Sequence, residues 1–294
     1  MKELSKALTK EFGKGFSVYN LERMRNFYIV FKDKVEAIDN SASMMQKSED
    51  EKSATPMRKL ENPFQLSWTH YLKLIRIDDP EERNFYEIEA INNNWSVREL
   101  DRQFDTALYE RLVLSRDKKA VKELNEKGQL LNKPTDAIKD PYVLDFLGLK
   151  EDDEYTESEF ESAIINKLEQ FLTELGKGFL FVGRQQRISI EDEHFYVDLV
   201  FYNRLLHCFV LIDLKIGKLK HQDLGQMQTY VNYYDEFIKT NDENPSIGIV
   251  LCKEKNETLV RITLPNDNEQ IFASKYQTVL PSKEELKKLI ETKE

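Results

Sequence analysis

Residues 195–215, FYVDLVFYNRLLHCFVLIDLK, decide how the rest of the chain is read. Two runs rich in aromatic and β-branched residues flank the polar pair Asn203-Arg204, which predicts two buried strands folded back as a hairpin. Each run carries an aspartate, Asp198 and Asp213, and the second closes on Lys215. Ionisable groups in buried strands are expensive unless something pairs with them. Residues two apart share a strand face, so Asp213 and Lys215 point the same way, and Asp198 shares its face with Tyr196, Val200 and Tyr202. A turn at 203–204 brings both aspartates to one end of the sheet.

A helix over about 158–175 precedes these strands. Turned at about 100° per residue, it gathers Phe160, Ile164, Ile165, Leu168, Phe171, Leu172 and Leu175 into one stripe. Glu161 falls inside that stripe and Glu159 opposite it. Two readings of Glu161 stay open, because Ser158 to Glu161 also has the spacing of a capping box. Asp198 taken alone reads as an acid held by backbone N–H groups, and Asp213 with Lys215 as an edge-strand ion pair. Together, three carboxylates and a lysine on buried faces are costly unless a metal ion neutralises the acids. Magnesium, with manganese as its substitute, prefers one or two carboxylates, waters and a phosphate oxygen, and this cluster offers such a site.

Around this centre, FLFVG (179–183) and QQRISI (185–190) read as two further strands, a helix spans roughly 221–238, and SIGIVLC (246–252) is another buried strand. The tail TVLPSKEELKKLIE ends in a short amphipathic helix. A mixed sheet flanked by helices follows, within an α+β protein. On the 221–238 helix, Gln226 and Tyr230 lie one turn apart beside the Leu224, Met227, Val231 stripe, where they face either the acids or solvent. Arg184, Gln185 and Arg187 stand beside the strand before Asp198, as holders of backbone phosphates or as ordinary surface residues. The GKG at 176–178 lacks the GxxxxGK[ST] pattern and reads as a helix C-cap turn.

The first half reads as helices. Leu4, Ala7, Leu8 and Phe12 recur at helical spacing, a GKG turn follows, and Ser17 caps a second helix with the stripe Leu21, Met24, Tyr28, Phe31. Such a pair is compatible with a DNA-binding helix-turn-helix, though most such pairs are only packing units. Further helices begin after Ser67, at Asp79-Pro80 and at the S-V-R-E of 96–99. Residues 39–63, polar and without period, predict a mobile loop. The helical pattern lapses near 140–152, which divides the chain into a helical domain at 1–145, open to a nucleic-acid-binding role, and a second domain at 146–294.

Charge divides the same way. Residues 1–140 carry 25 Lys+Arg against 25 Asp+Glu, so the net charge of -10 belongs to the C-terminal half. That argues against a protein coating nucleic acid by bulk attraction, and an acidic half that handles phosphates needs cations to do so. No apolar run approaches the roughly 18 residues of a membrane span, and the N-terminus lacks a secretory apolar core. Cys208 and Cys252 sit in apolar runs without CxxC spacing, and the four histidines form no HxxxH pair, so reduced thiols in a cytoplasmic protein without zinc are expected.

Asp198 followed by the D-x-K of Asp213 and Lys215, with a helix glutamate before them, resembles the PD-(D/E)XK nuclease signature. More specifically, ELGKGFLFVGRQQRISIEDEHFYVDLVFYNRLLHCFVLIDLKIGKL (174–219) and GQMQTYVNYYD (225–235) resemble the YhcG-type PDDEXK nucleases. LTKEFGKGFSVYNLERMRNFY (8–28) and NNNWSVRELDRQ (92–103) extend the resemblance to that family's helical N-terminal domain. It implies a restriction-endonuclease-like core with a central mixed sheet flanked by helices, acting as a metal-dependent endonuclease on DNA, with RNA as the lesser alternative. Asp198, Asp213 and Glu161 are then the metal ligands for Mg2+ or Mn2+, Lys215 orients the attacking water, and Gln226 is the polar residue of the following helix. Tyr230 joins Arg184, Gln185 and Arg187 against the nucleic acid. Relatives commonly show Glu where Asp213 stands, which leaves open an inactive nuclease-like core that binds DNA or assembles a complex. Repair and defence roles, and a homo-oligomer, are equally compatible.

Overall fold

The computed structural model describes residues 1–36, 63–114, 116, 118–149, 154–265, 267–279 and 282–293; the loop expected over 39–63 lies, but for its last residue, outside them. The chain forms two compact units, Met1–Arg102 and Gln103–Glu294.

The first unit is helical. Helix α1 (Lys2–Phe12) ends at Gly13, α2 (Val18–Val30) starts at Ser17, α3 (Trp68–Leu74) and α4 (Pro80–Asn92) follow, and α5 (Val97–Asp105) spans the boundary at Arg102. The caps are where the residue types predict them. Ser17 accepts from the Asn20 N–H at 3.2 Å, Asp79 from that of Glu81 at 2.8 Å and Ser96 from that of Glu99 at 3.1 Å. The apolar face of α2 differs from the expected stripe, since Met24 and Tyr28 are exposed while Leu21 and Phe31 are buried. Phe27 turns inward instead, with its ring centroid 5.1–5.3 Å from those of Phe31, Phe64, Trp68 and Tyr71. Aromatic packing therefore sets the helix rotation, which the spacing of aliphatic residues does not reveal.

The second unit opens with α6 (Leu108–Leu114) and α7 (Lys118–Lys127). It then builds a six-stranded sheet from β1 (Tyr142–Val143), β2 (Phe179–Ile190), β3 (Glu193–Asn203), β4 (Cys208–Lys218), β5 (Ile247–Glu254) and β6 (Ile271–Gln277). The order is β1-β6-β5-β4-β3-β2. The β2–β3 and β3–β4 pairs are antiparallel hairpins, and β4, β5, β6 and β1 run parallel, so the sheet is mixed. Parallel neighbours need crossovers. Helix α10 (His221–Tyr233) links β4 to β5, and α11 (Glu257–Thr263) links β5 to β6.

Several elements depart from the expected pattern. The two predicted strands around Gly183 are one 12-residue strand, with a register shift between Phe181 and Gly183 where the pattern suggested a break. The helix expected over 158–175 is two, α8 (Glu157–Asn166) and α9 (Leu168–Leu175), parted at Lys167 where φ is -122°. The helix over 221–238 ends as a π-turn at Tyr234–Ile238. Strands β1 and β6 and helix α11 add to the expected elements; β1 is two residues long, below what periodicity resolves. Helix α12 (Lys283–Lys293) is the amphipathic tail.

Two cores hold the sheet between helices. Phe160 and Ile164 of α8 with Phe171 and Leu175 of α9 pack on Leu199, Phe201, Ile212 and Leu214. Leu224, Met227, Tyr230 and Val231 of α10 pack on the other face, against Val197, Val200, Leu211 and Val250. Cys208 and Cys252 are both buried free thiols. Within this unit Arg111 donates to Glu174 at 2.5 Å, and Glu174 also accepts the Val143 N–H at 2.9 Å, so one buried ion pair fixes α6, α9 and β1. Burial works against the Glu174 charge, but Arg111 and Lys139 outweigh it and hold the carboxyl below its usual range.

Helix α10 lies close on β5 because Gly248 has no side chain; a Cβ there would stand 2.5 Å from Met227 and 2.9 Å from Val231. Gly248→Ala is therefore expected to destabilise the protein by about 1–3 kcal/mol through overpacking, as read by denaturant melts. A change below about 0.5 kcal/mol would show that Met227 yields freely and that α10 is not held this close.

Candidate active site

The β3–β4 ladder runs from Asn203↔Cys208 to Leu199↔Ile212. The ladder stops there, just short of Asp198 and Asp213, and Asp198 Oδ2 instead accepts the Leu214 N–H at 2.8 Å. A carboxylate thus takes a backbone donor that a carbonyl would otherwise hold.

Glu161 arrives from α8. The helix is capped two residues earlier than Ser158: Thr156 Oγ1 accepts the Glu159 N–H at 3.2 Å and Glu159 accepts the Thr156 N–H at 2.8 Å. This capping box uses Glu159 and releases Glu161, which is 6% exposed. Glu161 Oε2 accepts from Gln185 Nε2 at 2.6 Å, and the same nitrogen donates to Asp198 Oδ1 at 3.0 Å. Gln185 lies in β2 with φ at +48°, a left-handed backbone uncommon for this residue type. Burial pushes Glu161 above the usual carboxylate range, the Gln185 amide opposes this, and the Asp198 charge reinforces it.

Asp213 is almost completely buried. Its Oδ2 lies 2.8 Å from Lys215 Nζ as an ion pair, and it otherwise meets no hydrogen-bond donor. Burial pushes its carboxyl up to about 7, Lys215 pulls it down and the Asp198 charge adds to the rise. Burial disfavours the Lys215 ammonium, but Asp213 and, more weakly, Glu157 and Asp198 hold it above its usual range. Glu157, whose Oε2 is 3.9 Å from Lys215 Nζ, is a member of the site that sequence reasoning missed. An acid in the first turn of a helix reads as dipole decoration, and only the tertiary placement of α8 shows it facing the lysine.

The remaining candidates divide. Gln226 donates to the Tyr230 hydroxyl, which itself donates to the Tyr196 carbonyl at 3.0 Å. Tyr230, expected against the nucleic acid, is fully buried; burial pushes its hydroxyl up to about 12, and the Asp213 and Asp198 charges add to this, which locates it behind the acids. Arg184 is exposed, and its charge reaches Glu161. Arg187 is also exposed, with its guanidinium 2.8 Å from His194 Nε2. Gln185, grouped with these arginines in the sequence, turns its amide onto the acids instead.

Among the described residues, no three His, Cys, Asp or Glu side chains are drawn into a ready metal cage. The acids are connected as a chain: Glu161 to Asp198 through Gln185, and Asp198 to the Leu214 N–H, next to Asp213. The donor set nonetheless fits a hard divalent ion, since it offers only oxygens and includes a buried carboxylate oxygen, Asp213 Oδ2, that meets no donor besides the Lys215 ammonium. The residues that would hold such an ion are Asp198, Asp213 and Glu161.

Residues 135–291 match the family model of the YhcG PDDEXK nuclease domain, and residues 1–111 match that of the DUF1016 N-terminal domain. The chain belongs to the YhcG PDDEXK nuclease family. It is 40% identical over 293 residues to "Putative nuclease YhcG" of Escherichia coli (strain K12), across 97% of this chain and 78% of that protein. Among solved structures it is similar to a repair endonuclease from Pyrococcus abyssi, with a TM-score of 0.30 and 19% identity over 44% of this chain and 50% of that one. An EndoMS–dsDNA complex gives a TM-score of 0.31 and 17% identity over 46% and 51%. The alignments span about half of each of those chains. No helix among the described residues is long and apolar enough to cross a membrane.

Proposed function

We propose that the protein is a divalent-metal-dependent endonuclease that hydrolyses DNA phosphodiester bonds at the open end of the β3–β4 hairpin. The observation that carries this reading is that Asp198 Oδ2 accepts the Leu214 N–H at 2.8 Å, next to Asp213, whose carboxylate lies 2.8 Å from Lys215 Nζ. Asp198, Asp213 and Glu161 hold Mg2+ or Mn2+ in this reading. Such an ion supplies neutralisation of the charge that develops on the phosphate and a lowered pKa for the attacking water. Lys215 donates to that water and, kept protonated by Asp213 and Glu157, stabilises the charge gathering at phosphorus. Tyr230 holds Gln226 in position from behind. Arg184 and Arg187, both exposed, face the backbone phosphates, and the helical N-terminal unit engages the duplex. Its balanced charge suits contact through particular residues better than bulk attraction.

The test is cleavage of plasmid, linear and branched DNA and of RNA, with Mg2+, Mn2+ or a chelator, by wild type and Asp198→Ala. Wild type is expected to cut DNA only with a divalent ion, and Asp198→Ala to lose at least about 10^2-fold in rate. Equal cutting by both proteins, or cutting that persists in chelator, overturns the proposal. Preference for the RNA substrates would redirect it.

A further inference from the structure

We propose that Gln185 is a displaceable cross-bridge, holding Glu161 and Asp198 together while no ion is bound and turning out when a divalent cation enters between them. The proposal deepens the metal reading above and rests on it. Its basis is one nitrogen with two partners: Gln185 Nε2 donates to Glu161 Oε2 at 2.6 Å and to Asp198 Oδ1 at 3.0 Å. A carboxamide nitrogen carries two hydrogens and no acceptor lone pair, so both hydrogens are committed, one to each acid. These acids come from different elements, α8 and β3, and would otherwise repel across the gap. The amide's positive end therefore occupies the space between the two oxygens that a shared cation would take. A cation arriving there meets the same hydrogens, so bridge and ion exclude one another.

Two features make the bridge able to leave. Gln185 is exposed, so its side chain can swing into solvent without disturbing the core. Its backbone also sits at φ +48° within a strand, at a position opposite Asp198. Glutamine has no local hydrogen bond that favours the left-handed region, as asparagine has, so the conformation is kept by what the side chain reaches. Gln185 is thus a positioning residue: it keeps two acids at site geometry in the empty protein and competes with the ion for them.

The direction of the effect follows. The bridging hydrogen bonds exist only without the ion, so deleting them raises the free energy of the empty state alone and tightens metal binding. Full-length wild type, Gln185→Ala, Gln185→Gly and Asp198→Ala are titrated with Mn2+ at pH 8, by calorimetry and by the electron paramagnetic resonance signal of free Mn2+. Glycine suits the left-handed backbone, so it guards against a strain effect peculiar to alanine. Both Gln185 variants are expected to bind Mn2+ about three- to tenfold more tightly than wild type, with Asp198→Ala losing the site. If wild type binds and the Gln185 variants bind equally or more weakly, the cross-bridge is wrong and the metal reading stands; weaker binding would make the amide oxygen a ligand. If wild type binds no Mn2+ that Asp198→Ala loses, the metal reading fails and the bridge fails with it.

Discussion

Lys215→Ala is expected to lower the single-turnover rate of DNA cleavage by about 10^3-fold, while Mn2+ affinity stays the same or rises. Lys215 sits in the second half of β4 with its ammonium 2.8 Å from Asp213 and 3.9 Å from Glu157. Those acids keep it charged in a setting where burial alone would favour the neutral amine. A fixed cation in a half-buried site, aimed at developing negative charge, is worth far more than one in water, and removing such a group typically slows the chemical step by 10^2–10^3-fold or more. The expected loss corresponds to about 4 kcal/mol of transition-state stabilisation. Metal binding follows the opposite trend, because a nearby positive charge is removed from the carboxylates. The split between rate and affinity separates a chemical role from a structural one. A variant that cleaves within tenfold of wild type, or one that loses Mn2+ together with activity, would rule out the assigned role.

Asp213→Asn is expected to make the metal-free protein more stable at pH 8, by on the order of 2–4 kcal/mol. Burial outweighs Lys215 and carries the Asp213 carboxyl up to about 7, whereas an unfolded aspartate titrates near 3.9. Between those values the folded state binds the extra proton, so the fold loses stability as pH rises from about 4 to about 7 and does not recover it above. Asparagine stays neutral throughout and escapes that loss. The two proteins should therefore melt closer together at pH 5 than at pH 8, with a gap of several degrees at the higher pH. Millimolar Mg2+ should raise the melting temperature of wild type and leave the variant nearly unchanged. A variant less stable than wild type at both pH values would mean that the Lys215 ion pair, not desolvation, governs this carboxylate. Stability sacrificed at one acid is what a site built for a cation implies, and calorimetric melts at two pH values decide it.

Much of this architecture is legible in residue order because the signals are local. The hairpin is encoded by two apolar runs and a polar turn, the caps at Ser17, Asp79 and Ser96 by hydroxyl or carboxylate side chains ahead of helical patterns, and the Asp213–Lys215 pair by strand alternation. Glu161 is legible only as an acid in an apolar stripe; whether it caps the helix or enters the site depends on Thr156 and Glu159, two equally good capping residues slightly upstream. Gln185 reads as a neighbour of two arginines, since nothing in its spacing reveals a left-handed backbone. Tyr230 reads as a surface partner of Gln226, but the approach of α10 to Gly248 and β5 buries it. Glu157 leaves no sequence signal beyond its place in a first turn.

Sequence by itself determined the central elements: that the β3 and β4 runs are strands, that two acids and a lysine ride on their buried hairpin, and that a helical half precedes it. These follow from short-range periodicity and from the high free energy of isolated charge in apolar segments. Tertiary structure alone decided the partners: the register that sets Asp198 against the Leu214 N–H, next to Asp213, the rotation of α8 that frees Glu161, and the turn of Gln185 onto Glu161 and Asp198. Such pairings are energies between groups distant along the chain, and they take definite values only once packing fixes their separation and excludes water from between them.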